Sequence, residues 1–172
     1  MNALEHGITE QSVSAIVAEA VSSFPEPSPE RLSPENLSFE PSTGPGFHAV
    51  STQATLTGAW NGTVNLQVPV QLAASFASAL FGIPSSDITA AERADVVAEL
   101  CNVVAGNLKG LIRGPSALSL PTINDGGVDD GEAGAAGHHA ASPAGRVAVN
   151  LAYPFLGQII VVQVIEFEGG TP

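Results

Sequence analysis

Residues 89–113 constrain what this 172-residue chain can fold into more than any other stretch. Thr89-Ala-Ala-Glu92 has the form of a capping box, in which the Thr and Glu side chains each satisfy a backbone N–H of the other's end of the first turn. It opens a helix that the sequence carries to about Arg113, where Gly114-Pro115 stops it. Projected at about 100° per residue, positions 93–113 separate sharply. Asp95, Glu99, Asn102, Gly106, Lys109 and Arg113 fall on one narrow stripe. Val96, Val97, Leu100, Cys101, Val103, Val104, Ala105, Leu108 and Leu111 fill the remaining circumference. A helix apolar over so wide an arc has to be covered by a sheet and by a neighbouring helix, with only a thin polar ridge left outside.

The sheet is legible on either side of that helix. Val50 to Trp60 and Thr63 to Val70 flank Asn61-Gly62, the strongest short hairpin signal a sequence can carry. In the second arm Val64, Leu66, Val68 and Val70 alternate with Thr63, Asn65, Gln67 and Pro69, so one face is buried. A short helix over about Val70 to Phe81 places Leu72, Phe76 and Leu80 on one stripe, and Gly82 and Pro84 end it. Ala117 to Thr122 reads as a strand, and Arg146 to Tyr153 with Gln158 to Phe167 forms a second hairpin turned by Pro154 to Gly157. Ahead of all this, residues 9–22 read as an amphipathic helix through Val13, Ile16, Val17 and Val21, capped by Thr9 or Ser12. The expected organisation is an N-terminal helix in 1–24, a Pro/Glu-rich connector in 25–47, and an α+β domain in 48–172. That domain would be a mostly antiparallel sheet with two helices packed across one face, and a Gly/Ala/Asp-rich loop at about 124–145.

Charge and composition exclude several functions. The net charge of −12 leaves no basic footprint for nucleic acid and disfavours anionic membrane surfaces. Seven of the 17 acids lie in residues 1–40, where Arg31 is the sole base, so much of that charge solvates the connector. The N-terminal stretch lacks the basic-then-apolar order of a secretory signal, and Ile159 to Phe167 is too short to span a bilayer. Cys101 is the only cysteine, which excludes an internal disulfide framework and fits a reducing, cytoplasmic setting. Asn61-Gly62-Thr63 matches a glycosylation sequon and reads better as a turn.

The ridge carries the chemistry. Glu99 and Asn102 stand three residues apart, so their side chains emerge together, and Gly106 lowers the ridge one turn on. Spacing alone also describes an ordinary solvated helix face. The other candidates are weaker. His138-His139 offers too few ligands at fixed spacing for a metal, and His6 and His48 have no visible partners. Cys101 falls on the apolar side and reads as a buried thiol, Asn107 points toward the packed arc and takes a structural role, and Trp60 suits a core or an interface.

The run Asp95-Val-Val-Ala-Glu99-Leu-Cys-Asn102-Val-Val-Ala-Gly106-Asn107 resembles the signature helix of the CheC/CheX family of chemotaxis phosphatases. That family's pattern is Ser or Asp, three residues, Glu, two residues, Asn, then a small residue and a Pro further on. The resemblance extends to Gly58-Ala-Trp-Asn-Gly-Thr-Val-Asn-Leu, to Ala73–Gly82, to Leu118-Ser-Leu-Pro121-Thr122 and to the closing hairpin. It covers roughly residues 48–168 apart from the Asp125–Gly145 insertion. A single Glu-x-x-Asn is present, as in the CheX type; the long connector and the insertion depart from the pattern.

The resemblance implies a phosphatase of the aspartyl phosphate on a CheY-type receiver domain, whose own Mg²⁺ and Lys neutralise the phosphoryl charge. Asn102 would position the attacking water, and Glu99 would dock to the receiver's Lys. Asp95, Gly106 and Lys109 would contact the partner, with Arg113 able to meet acidic receiver surface. No cofactor of the chain's own is implied, and a homodimer joined through the sheets is. The alternative from another class is a non-catalytic CheX-like binding module in two-component or flagellar signalling, and a third reading is a scaffold that recruits through its acidic segments.

Overall fold

The computed structural model describes residues 2–25, 49–124 and 145–167, with the Asn124 side chain left aside. The Pro/Glu-rich connector and the Gly/Ala/Asp-rich loop lie almost wholly outside the described residues, as do His48 and His138-His139. Among the described residues three α-helices, α1 (Glu10–Ser22), α2 (Val70–Phe81) and α3 (Ala90–Leu111), and one 3-10 turn at Ser85–Asp87 accompany six strands. The strands are β1 (Ala49–Gly58), β2 (Gly62–Pro69), β3 (Ser116–Leu118), β4 (Thr122–Asn124), β5 (Gly145–Phe155) and β6 (Gln158–Phe167). They form one antiparallel sheet in the order β3-β1-β2-β6-β5, and β4 pairs with β1 beyond β3.

Period-two alternation decides which face is buried. Val50, Ala54 and Leu56 on β1 meet Val64, Leu66 and Val68 on β2, then Val164 and Val162 on β6, and Val149 and Leu151 on β5. The helices cover that face. α3 lies over β1 and β2, α2 packs against α3, and α1 joins the same layer against α3 and β5. Val13, Val17 and Ala20 of α1 are fully buried in the common core. The α+β architecture expected from the sequence is the one observed, with α1 as a third member of the helix layer. Among the described residues no helix is long and apolar enough to cross a membrane.

Both helix starts carry reciprocal caps. Thr89 Oγ1 accepts from Glu92 N–H at 3.2 Å while the Glu92 carboxylate accepts from Thr89 N–H at 2.8 Å, which holds that carboxyl below its usual value. Thr9 and Ser12 do the same for α1. Other expectations need correction. The two-residue turn is not at Asn61-Gly62: β1 and β2 last pair at Leu56 and Gly62, and the connection bulges to seat Trp60 in the core. A Cβ on Gly62 would strike the Trp60 ring and the Ile165 carbonyl oxygen, so Gly62 serves packing and not turn geometry. Leu80 is 48% exposed, because α2 ends at Gly82 before its stripe meets the core again. The single strand expected over Ala117 to Thr122 is two short ones: Ser119 N–H still donates to the Thr55 carbonyl oxygen at 2.9 Å, and the regular pairing with β1 resumes only at Thr122.

Candidate functional site

The inner side of α3 is consumed by packing. Val97, Cys101, Val104 and Leu108 are fully buried and Leu100 nearly so. Burial pushes the Cys101 thiol up, opposed weakly by the Thr52 hydroxyl, and its Sγ lies 3.9 Å from the Val64 carbonyl oxygen. It is an inert core thiol. This anchoring fixes the rotation of the helix, and therefore what faces outward.

Asp95, Glu99, Gly106 and Lys109 are exposed, and Asn102 is half-buried between them. The structure brings all five onto the ridge the sequence assigned. Among the described residues no hydrogen bond or ion pair engages the side chains of Asp95, Glu99, Asn102, Lys109 or Arg113. Asp95 and Glu99 stand four residues apart, where like charges repel on a helix surface. A Cβ added to Gly106 or Gly110 meets nothing within 4 Å, so no contact inside the chain requires glycine at either place. Helical glycine is unfavourable by about 1 kcal/mol against alanine.

Asn107 corrects the sequence reading: it is exposed. Val96 and Leu100 on its flank of α3 are buried, but Val103, Asn107 and Leu111 continue the same row half-buried or exposed. The covering layer stops short of the helix's second half, which helical projection cannot foresee. His6, unassigned from sequence, is buried, and its Nδ1 accepts from Arg113 N–H at 3.2 Å just past α3. Trp60 resolves to core. Among the described residues no group of three His, Cys, Asp or Glu side chains is placed to hold a metal ion.

The other unforeseen centre is Glu166. Its Oε1 accepts from Trp60 Nε1–H at 3.2 Å and Ala3 N–H at 2.9 Å, and its Oε2 pairs with Arg146 at 2.6 Å. The available signal was a lone acid in the apolar run Ile159 to Phe167.

Comparison with protein families matches residues 50–130 to the family described as chemotaxis phosphatase CheX. That stretch runs from β1 past β4 and contains the whole ridge. Solved structures agree in fold. A CheX from Desulfovibrio desulfuricans superposes with a TM-score of 0.58 at 15% identity, over 91% of this chain and 97% of that one. The CheX of a CheX–CheY–BeF₃–Mg²⁺ complex from Borrelia burgdorferi gives 0.55 at 18% identity, over 92% and 97%. In fold, this chain is CheX-like. A CheC-like superfamily protein from Shewanella gives 0.51 at 18% identity, over 71% and 75%. No match is found among curated proteins. The CheX-like fold reaches beyond the family match to include the β5–β6 hairpin and most of the remaining described chain.

Proposed function

We propose that this CheX-like chain is a protein phosphatase that stimulates hydrolysis of the aspartyl phosphate of a CheY-type response regulator. Asn102 positions the attacking water, and Glu99 docks to the receiver's Lys. The observation that carries the reading is the pair itself. A half-buried carboxamide with no hydrogen-bond partner among the described residues stands beside an exposed acid, on a helix whose rotation is fixed by its buried side.

The chemistry suits the residue types. In-line attack on phosphorus needs a water held in line, and a receiver's own Mg²⁺ and Lys supply the positive charge. The Asn102 amide offers a donor and an acceptor without adding negative charge near a phosphoryl group. A carboxylate used as base would be repelled by the phosphate, which leaves Glu99 the docking role toward an ammonium group. Asp95, Gly106 and Lys109 line the approach. Support for the partner class comes from the family match and from the Borrelia relative, whose structure was solved with CheY. The same resemblance implies a cytoplasmic homodimer joined through the sheets.

The test mixes the protein with a phosphorylated CheY-type receiver and follows loss of phosphate, with Asn102→Ala and Glu99→Ala alongside. Acceleration by the unaltered protein that disappears in Asn102→Ala, and that needs more protein in Glu99→Ala, is the expected result. Binding without acceleration identifies a non-catalytic module, and no effect on any receiver tried removes the reading.

A further inference from the structure

The ridge of α3 has an electrical direction. Its acids, Asp95 and Glu99, lie toward the N-terminal half; its bases, Lys109 and Arg113, lie at and just past the C-terminal end, with Asn102 and Gly106 between. Four of the chain's five bases lie among the described residues. Arg146 is paired with Glu166, and Arg93 donates to the Ile88 carbonyl oxygen at 3.0 Å. Lys109 and Arg113 alone of the four have side chains without a hydrogen bond or ion pair among the described residues. A chain with a net charge of −12 thus keeps its uncommitted described cations together, at the C-terminal end of the helix that carries the Glu99/Asn102 pair.

The helix dipole accounts for Lys109, which lies in the last turn of α3, but not for the two acids. Its effect fades within the first and last turns, whereas Asp95 and Glu99 lie deeper, and they repel each other at their spacing. Glu99 and Lys109 are ten residues apart, about 15 Å along the axis at 1.5 Å per residue. That exceeds the screening length of about 8 Å at physiological ionic strength, so the two ends address separate parts of a partner.

We infer that Lys109 and Arg113 form a second docking point that orients the receiver. The receiver would carry an acidic patch about 15 Å, measured along α3, from the cation that Glu99 meets. A receiver placed end-for-end would set acid against acid at one pole and base against base at the other, so one orientation is selected and the phosphoryl group is delivered to Asn102. This inference rests on the receiver reading above.

Two variants that change net charge equally separate a local effect from a global one. Lys109→Gln with Arg113→Gln removes the basic pole. Gln11→Glu with Ala15→Glu adds the same two units of negative charge on exposed positions of α1. Each is titrated against a CheY-type receiver loaded with beryllofluoride and Mg²⁺ at low and at physiological salt, after thermal melting has shown that both fold. The expected result is about tenfold weaker binding and a flatter salt dependence for the first variant only. Equal behaviour of the two variants, whether both weakened or both unchanged, overturns the inference while leaving the receiver reading in place. Failure of the unaltered protein to bind the loaded receiver removes both.

Discussion

Glu166 and Glu99 are the same side chain placed in opposite circumstances. Glu166 sits where the inner row of β6 reaches the end of the sheet, and both its oxygens are engaged, by the Trp60 indole, by the Ala3 amide and by Arg146. Glu99 stands on the outer side of α3 with nothing in the described chain engaging it and Asp95 one turn away. The first carboxylate organises the fold, since it ties the N-terminal turn, the β1–β2 connection and β5 to one point. The second does nothing for the fold that the structure can identify, which leaves it free for the docking role proposed above.

Exchanging both glutamates for alanine would break this contrast or sharpen it. Glu166→Ala leaves the buried Trp60 N–H and the Ala3 N–H without acceptors and Arg146 without its partner, so a loss of about 2–4 kcal/mol is expected in denaturant titration. Glu99→Ala should change stability by less than about 0.5 kcal/mol, as surface substitutions do. Equal losses would mean that the ridge is structural after all. A smaller effect of opposite sign comes from glycine. Because a methyl group at position 106 meets nothing, Gly106→Ala should raise stability by about 0.5–1 kcal/mol. It should also weaken association with a beryllofluoride-loaded receiver if the partner's surface passes over that point. Stabilisation with unchanged affinity would take Gly106 out of the interface.

The contrast also explains what was readable from sequence. The ridge was, because one long helix with a capping box sets both register and rotation, and Thr89, Glu92 and the apolar arc of α3 turn out as the spacing implies. Helix α2 over Val70–Phe81 and the alternation of β2 were readable for the same reason: local periodicity and burial agree. Where tertiary packing overrides a local signal, the reading failed. Asn61-Gly62 carries the turn signature, yet the tight turn with two positive-φ residues is Leu156-Gly157, at +48° and +75°, because the first connection is given over to burying Trp60. Asn107 is exposed where the projection predicts burial, because a projection treats the covering layer as uniform along the helix, and here it ends partway. Glu166 was passed over because its partners are distant in sequence, as far as 163 residues for Ala3.

The proposed hydrolysis depends on the Asn102 amide, and the isosteric replacement Asn102→Asp tests that dependence most directly. Aspartate keeps the shape, removes the amide donor and places a negative charge beside the phosphoryl group. Single-turnover loss of phosphate from a CheY-type receiver, at saturating protein, should slow by about 100-fold or more, while the melting temperature stays within a few degrees of the unaltered protein's. A rate within threefold of the unaltered protein's, at equal stability, would contradict the account.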